Sequence, residues 1–109
     1  MAYDEGLAER IRTVFAGREV SAEKKMFGGI CFLLDGNMCV GILQDELIVR
    51  LSAEQADEAL REANTRPFDF TGRPLTGWVM AGPGATGSDE ALRGWIDRAV
   101  AFVSLLPPK

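Results

Sequence analysis

An α+β fold with helices packed on an antiparallel sheet is what this chain predicts, in the order helix, three to four strands, helix, two strands, helix. Three observations carry it. Apolar stripes at three- and four-residue spacing open and close the sequence. Between them lie short apolar runs separated by tight-turn signals, Asp35-Gly36-Asn37 foremost. No repeat, low-complexity tract or long linker interrupts them, so the short connections fit one compact unit spanning residues 1–109.

The first helix is read from Tyr3, Leu7, Ile11, Val14 and Phe15, which keep one side apolar, with Gly17 as its expected C-cap. From Val20 to Phe27 the pattern is that of an edge strand or an extended lead-in. Its basic residues suit an exposed sheet edge, where charge discourages edge-to-edge pairing. Strands follow at 30–34, 38–43 and 46–51, joined by Asp35-Gly36-Asn37 and Gln44-Asp45-Glu46; a tight hairpin turn needs positive φ, which Gly and Asn accept. Ser52-Ala53-Glu54-Gln55 is a capping box opening a second helix, with Ala56, Ala59, Leu60 and Ala63 as its buried face. Arg66-Pro67 breaks that pattern. Phe68 and Phe70 then alternate with Asp69, and Trp78 and Met80 with Val79, suggesting two short strands around Thr71-Gly72-Arg73-Pro74. Ser88 caps a last helix carrying Leu92, Trp95, Ile96, Ala99, Val100 and Val103, and Pro107-Pro108 lies beyond its end.

Composition narrows the function classes. With 109 residues, 47% hydrophobic and 26% charged, the chain fits one globular domain rather than a disordered segment. The acidic opening and the lack of a long apolar run match neither a signal peptide nor a membrane span, so a soluble cytoplasmic protein is expected. A net charge of −4 weighs against direct nucleic-acid binding, since phosphate neutralisation by Lys and Arg supplies most non-specific affinity. Arg10, Arg12, Arg18, Lys24 and Lys25 form a local basic stretch against Glu19 and Glu23, while residues 54–62 are acidic; a solvated face of mixed charge is the plainer reading.

Catalytic constellations are constrained by the absence of histidine, which removes the commonest general base and metal ligand. Cys31 and Cys39 flank the central hairpin among Ile30, Phe32, Met38 and Val40, surroundings that raise a thiol pKa, so both are expected in the core and reduced. A two-residue loop would set their sulfurs on opposite faces of the hairpin; a three-residue loop would set them diagonally on one face. Neither makes them directly opposed. Asp45-Glu46 and Asp89-Glu90 are adjacent pairs explained by solvation and capping, and no metal or cofactor is expected. Gly82-Pro83-Gly84-Ala85-Thr86-Gly87 spells G-x-G-x-x-G, yet no βαβ unit fits after it. Asp89 and Glu90 would also occupy the helix-dipole position that a pyrophosphate requires. A flexible loop is expected there.

The segment Lys24-Lys25-Met26-Phe27-Gly28-Gly29 is the most distinctive in the chain. Adjacent glycines after a basic pair mark a tight bend or a close approach, because only Gly takes positive φ cheaply. Together with Phe32, Gly36-Asn37-Met38, Arg66-Pro67-Phe68, Asp89-Glu90-Ala91-Leu92, Trp95-Ile96 and Ala99, the Lys25-Met26-Phe27-Gly28-Gly29 run resembles the N-terminal domain of the TfoX/Sxy family over nearly the whole chain. That resemblance implies a two-layer α+β sandwich similar to type III secretion chaperones and YjbR-like proteins. It also implies kinship with regulators of natural competence that are thought to act with a cyclic-AMP receptor protein at promoters; many short members have no assigned role. Longer relatives carry a C-terminal helical domain, and an activity housed in that domain is not expected of residues 1–109. The glycine-rich stretch from Met80 to Gly87 departs from the relatives' pattern.

The leading expectation is a non-enzymatic protein-interaction module, a transcription or competence-type regulator working through a protein partner, with Lys24, Lys25, Phe27, Gly28 and Gly29 as the candidate surface. Its plainer counterpart makes Met26 and Phe27 core and the glycines a turn. The alternative is a small-molecule-binding protein or enzyme with a pocket between sheet and helices lined by Trp78, Met80 and Trp95. A monomer or weak homodimer is expected.

Overall fold

The computed structural model describes residues 3–16, 22–26, 28–68 and 76–107. Its elements run α1 (Glu5–Phe15), β1 (Ala22–Met26), β2 (Gly29–Leu34), β3 (Asn37–Leu43), β4 (Glu46–Arg50), α2 (Ala53–Ala59), β5 (Thr65–Pro67), β6 (Trp78–Ala81), α3 (Pro83–Thr86) and α4 (Asp89–Val103). The six strands form one antiparallel sheet in the order β1-β2-β3-β4-β6-β5, an α+β sandwich as the sequence predicts.

Local chemistry accounts for most boundaries. Asp4 accepts the Leu7 N–H and caps α1, so Tyr3, read in the sequence as part of the helix, stands outside it and bridges Gln44 instead. Asp35 and Gly36, at φ 52° and 82°, make the two-residue β2–β3 turn, the doubly left-handed geometry that Asp-Gly favours. Ser52 and Gln55 form the expected capping box, but α2 ends at Ala59; Ala56 and Ala59 are buried, Leu60 is half-buried, and Ala63 is exposed. Ser88 caps α4 by accepting the Ala91 N–H.

Two elements correct the sequence reading. Arg66-Pro67 does not break the chain's regularity but lies in β5, at the sheet's far edge, where a proline is tolerated. Phe68 follows that strand as a buried residue; Asp69, Phe70 and the Thr71-Gly72-Arg73-Pro74 turn lie outside the described residues, as does Gly17. The expected loop at Gly82–Gly87 instead contains the helical turn α3. Pro83 presets its φ, Thr86 is buried with its hydroxyl donating to the Gly82 carbonyl, and the Trp95 indole N–H donates to the Ala85 carbonyl at 3.2 Å.

Helices cover one sheet face. Leu7, Ile11 and Phe15 of α1 and Leu92, Trp95, Ile96, Ala99 and Val103 of α4 pack with Ile30, Phe32, Val40, Ile42, Leu47, Val49, Val79 and Ala81 in the main core. On the opposite face Ile48, Phe68 and Met80 form a smaller cluster flanked by Met38, Leu43 and Trp78. A bulge between Phe32 and Leu33 on one side and Met38 and Val40 on the other makes Cys39 the extra residue, and its side chain lies in the main core. Cys31 pairs with Gly41 in the row of Ile48 and Met80, so the two sulfurs lie on opposite faces, the outcome predicted for a two-residue loop.

Candidate functional site

β1 is a lateral edge of the sheet, and β2 is its one strand partner among the described residues. Ala22, Glu23, Lys24 and Lys25 are all exposed. The register pairs Lys24 with Cys31 and Lys25 with Ile30, so the two ammonium groups belong to opposite sheet faces. Arg12 of α1 reaches Glu23 with two guanidinium nitrogens, at 2.8 and 2.9 Å, and also pairs with Glu9. Its hydrogen bonds hold the Glu23 carboxyl below the usual carboxylate range. The edge strand therefore offers two lysines without a competing free carboxylate in β1.

The glycine pair has a structural cause. Met26 pairs with Gly29, leaving Phe27 and Gly28 as the connection, and Gly28 takes φ +78° with nothing within 4 Å of a Cβ placed there. Gly29 is needed for another reason: a Cβ would lie 2.0 Å from the Ile42 carbonyl oxygen of β3. Phe27 lies outside the described residues. Gly28 and Gly29 are thus determinants of the hairpin, and the accessible chemistry of the segment resides in Lys24 and Lys25.

The second expected constellation does not assemble. Trp78 and Met80 share the face of Ile48 and Phe68, with the Phe68 and Trp78 rings 6.0 Å apart and Arg50 lying 5.3 Å over Trp78. Trp95 packs against the other face, across the sheet, because Val79 and Ala81 are the β6 residues turned toward the helices. A different concavity of about 450 Å³ lies beside Trp95, bordered by Glu62, Ser88, Glu90 and Arg98. Arg98 stacks 4.4 Å over the indole and is tied to Glu62 at 2.8 Å, while the Ser88 hydroxyl is engaged as a helix cap; no nucleophile and base meet there.

A family model described as TfoX N-terminal domain matches residues 13–103, from the last turn of α1 to the last residue of α4. The chain belongs to the TfoX N-terminal domain family. Neither the curated proteins nor the solved structures yielded a match.

In this TfoX N-terminal domain Gly82, Ala85 and Thr86 of the G-x-G-x-x-G stretch have main-chain groups engaged internally. Arg10 donates to the Thr86 carbonyl at 2.8 Å and pairs with Asp89 at 3.2 Å, tying α1 to the end of α3. Asp89 and Glu90 occupy the first turn of α4, where their charge opposes an anionic ligand. Among the described residues no group of three or more His, Cys, Asp or Glu side chains is arranged to hold a metal, and no helix is long and apolar enough to cross a membrane.

Both cysteines of the domain are buried thiols, and desolvation pushes the Cys31 thiol up from 9.0 to about 11. Two outcomes are expected. Thiol reagent at pH 8 should leave both cysteines of the folded protein unmodified and count two after denaturation; a count of zero would mean that they had been oxidised. The unfolded chain loses the Cys31 proton at a lower pH than the folded one, so its contribution to stability is full below pH 9.0 and falls as pH rises toward about 11. Urea midpoints across that window should fall more steeply for the wild type than for Cys31→Ala.

Proposed function

We propose that this TfoX N-terminal domain is a non-enzymatic interaction module of the regulatory type, acting through a protein partner that engages β1 at Lys24 and Lys25. The observation that supports this reading most is the lateral sheet edge: four consecutive exposed residues, two of them lysines, beside a glycine turn whose geometry is already explained by the fold. Family membership supports the regulatory character, and a chain without histidine, in which the concavity beside Trp95 holds no nucleophile–base pair, supports a role without catalysis.

Lys24→Gln combined with Lys25→Gln tests it. Both residues are exposed, so stability should stay within about 0.5 kcal/mol of wild type by urea denaturation. Capture of host proteins on immobilised wild type and double variant should differ by at least one chain that only the wild type retains, because charges at a contact's rim govern encounter more than folding. An identical retained set with the fold intact would overturn the assignment of the contact to these lysines.

A further inference from the structure

We propose that β1 accepts an acidic, extended peptide segment of the partner as a seventh strand of the sheet, paired through the outward main-chain groups of Glu23 and Lys25. This rests on the interaction reading above and adds the chemistry of what is bound.

The two edges of the sheet differ. β5 is three residues long and carries Pro67, which lacks an N–H; β1 is five residues long and has no proline. Register then identifies the available groups. The two-residue connection makes Met26 and Gly29 a hydrogen-bonded pair, and alternation along an antiparallel ladder makes Lys24–Cys31 and Ala22–Leu33 bonded pairs as well. The N–H and C=O groups of Glu23 and Lys25 therefore point away from β2, two residues apart, the spacing at which an added strand bonds.

Charge selects the occupant. With the Glu23 carboxylate engaged by Arg12, a strand laid along β1 meets Lys24 on one face of the sheet and Lys25 on the other. Acidic residues on either face of the incoming strand complement them, and lysines there would be repelled. A second copy of this chain fits poorly. Any twofold pairing of β1 with itself that matches outward groups to outward groups centres on one residue and sets it opposite its own copy. Centred on Lys25 this opposes two lysines and centred on Glu23 two carboxylates; centred on Lys24 it opposes two lysines on one face, and the Glu23 it sets opposite the copy's Lys25 is already engaged by Arg12. The net charge of −4 gives an acidic segment no long-range attraction, so recognition comes from the main-chain bonds and the two neighbouring lysines.

The probe is a nine-residue peptide of repeated Glu-Glu-Val, which carries Glu on both faces of an extended strand, blocked at both ends and titrated into the isotopically labelled full chain. Saturable amide shifts centred on residues 22–26 are expected, with slowed hydrogen exchange at the Glu23 and Lys25 amides. Lys25→Pro removes one outward donor together with the Lys25 charge while sparing the β1–β2 ladder and should weaken binding about tenfold, and beyond the loss in Lys25→Gln, which keeps the donor; replacing every Glu of the peptide with Lys should weaken it about tenfold as well. If Lys25→Pro fails to fold, N-methylation of alternate peptide amides blocks the same bonds from the ligand's side and should abolish the shifts. Shifts centred elsewhere, equal binding of the Glu and Lys peptides, or undiminished binding of the N-methylated peptide would overturn strand addition. Absence of saturable peptide binding, with host capture still lost in the Lys24→Gln, Lys25→Gln variant, would overturn strand addition alone. Capture unchanged in that variant would overturn the interaction reading itself.

Discussion

Gly29→Ala is expected to destabilise the domain by more than about 4 kcal/mol, a large share of what a domain of this size possesses. The added Cβ would stand 2.0 Å from the Ile42 oxygen and 3.1 Å from the Ile42 carbonyl carbon. Both belong to the backbone of a central strand, so no flexible side chain can move aside; β2 and β3 would have to separate at the ladder that carries the main core. Gly28→Ala is the control one residue away. There the space is open and only the φ of +78° is unfavourable, which costs about 1–2 kcal/mol. Urea denaturation of the two variants separates these causes, and equal losses would refute the close-approach account of Gly29.

Trp95→Ala should cost about 3–5 kcal/mol, the range for deleting a buried aromatic side chain. Three things leave together: the packing of α4 on the sheet, the indole donor to the Ala85 carbonyl at 3.2 Å, and the ring under Arg98. Trp95→Phe retains much of the packing but not the donor, so a smaller loss of about 1–2 kcal/mol is expected, with α3 loosened. Hydrogen exchange along residues 82–88, faster in Trp95→Phe than in wild type while β2 and β3 stay protected, is the measurement that isolates the indole bond.

The contrast between Gly28 and Gly29 also shows what a sequence can and cannot convey. Two adjacent glycines announce a constraint, but positive φ and close approach look alike in the one-letter text; only the β2–β3 register distinguishes them. Where the rule is local the elements were legible. Asp35-Gly36 specifies its turn, Ser52 with Gln55 specifies a helix start, and Ser88 with the apolar stripe from Leu92 to Val103 specifies α4. Where tertiary context decides, the text was silent. Pro67 reads as a breaker because edge position is not written in the sequence, and Pro83-Gly84-Ala85-Thr86 reads as a loop because α3 depends on Trp95 from the following helix and Arg10 from the first. The pocket expected of Trp78, Met80 and Trp95 failed likewise. Alternation places Trp78 with Met80, but which face the helices cover follows from Val79 and Ala81 joining the main core. The exposure of Lys24 and Lys25 was legible from the edge-strand pattern; the outward direction of the Glu23 and Lys25 main chain was not, since it depends on where the hairpin turns.

Strand order also bears on the chain while it is being synthesised. β4 is bordered in the sheet by β3 and β6, yet α2, β5 and the residues up to Gly77 must be made before β6 exists. Until Trp78–Ala81 emerges from the ribosome and docks, the nascent meander ends in an open strand whose Leu47, Ile48 and Val49 are destined for complete burial and present apolar side chains to both faces. Glu46 and Arg50, one charge at each end of this apolar triplet, sit where gatekeeper residues discourage two nascent chains from pairing. After folding the same carboxylate receives Arg66 from β5 at 3.1 Å, and the same guanidinium lies over Trp78 of β6, so each guard charge becomes a latch on the hairpin that closes the sheet.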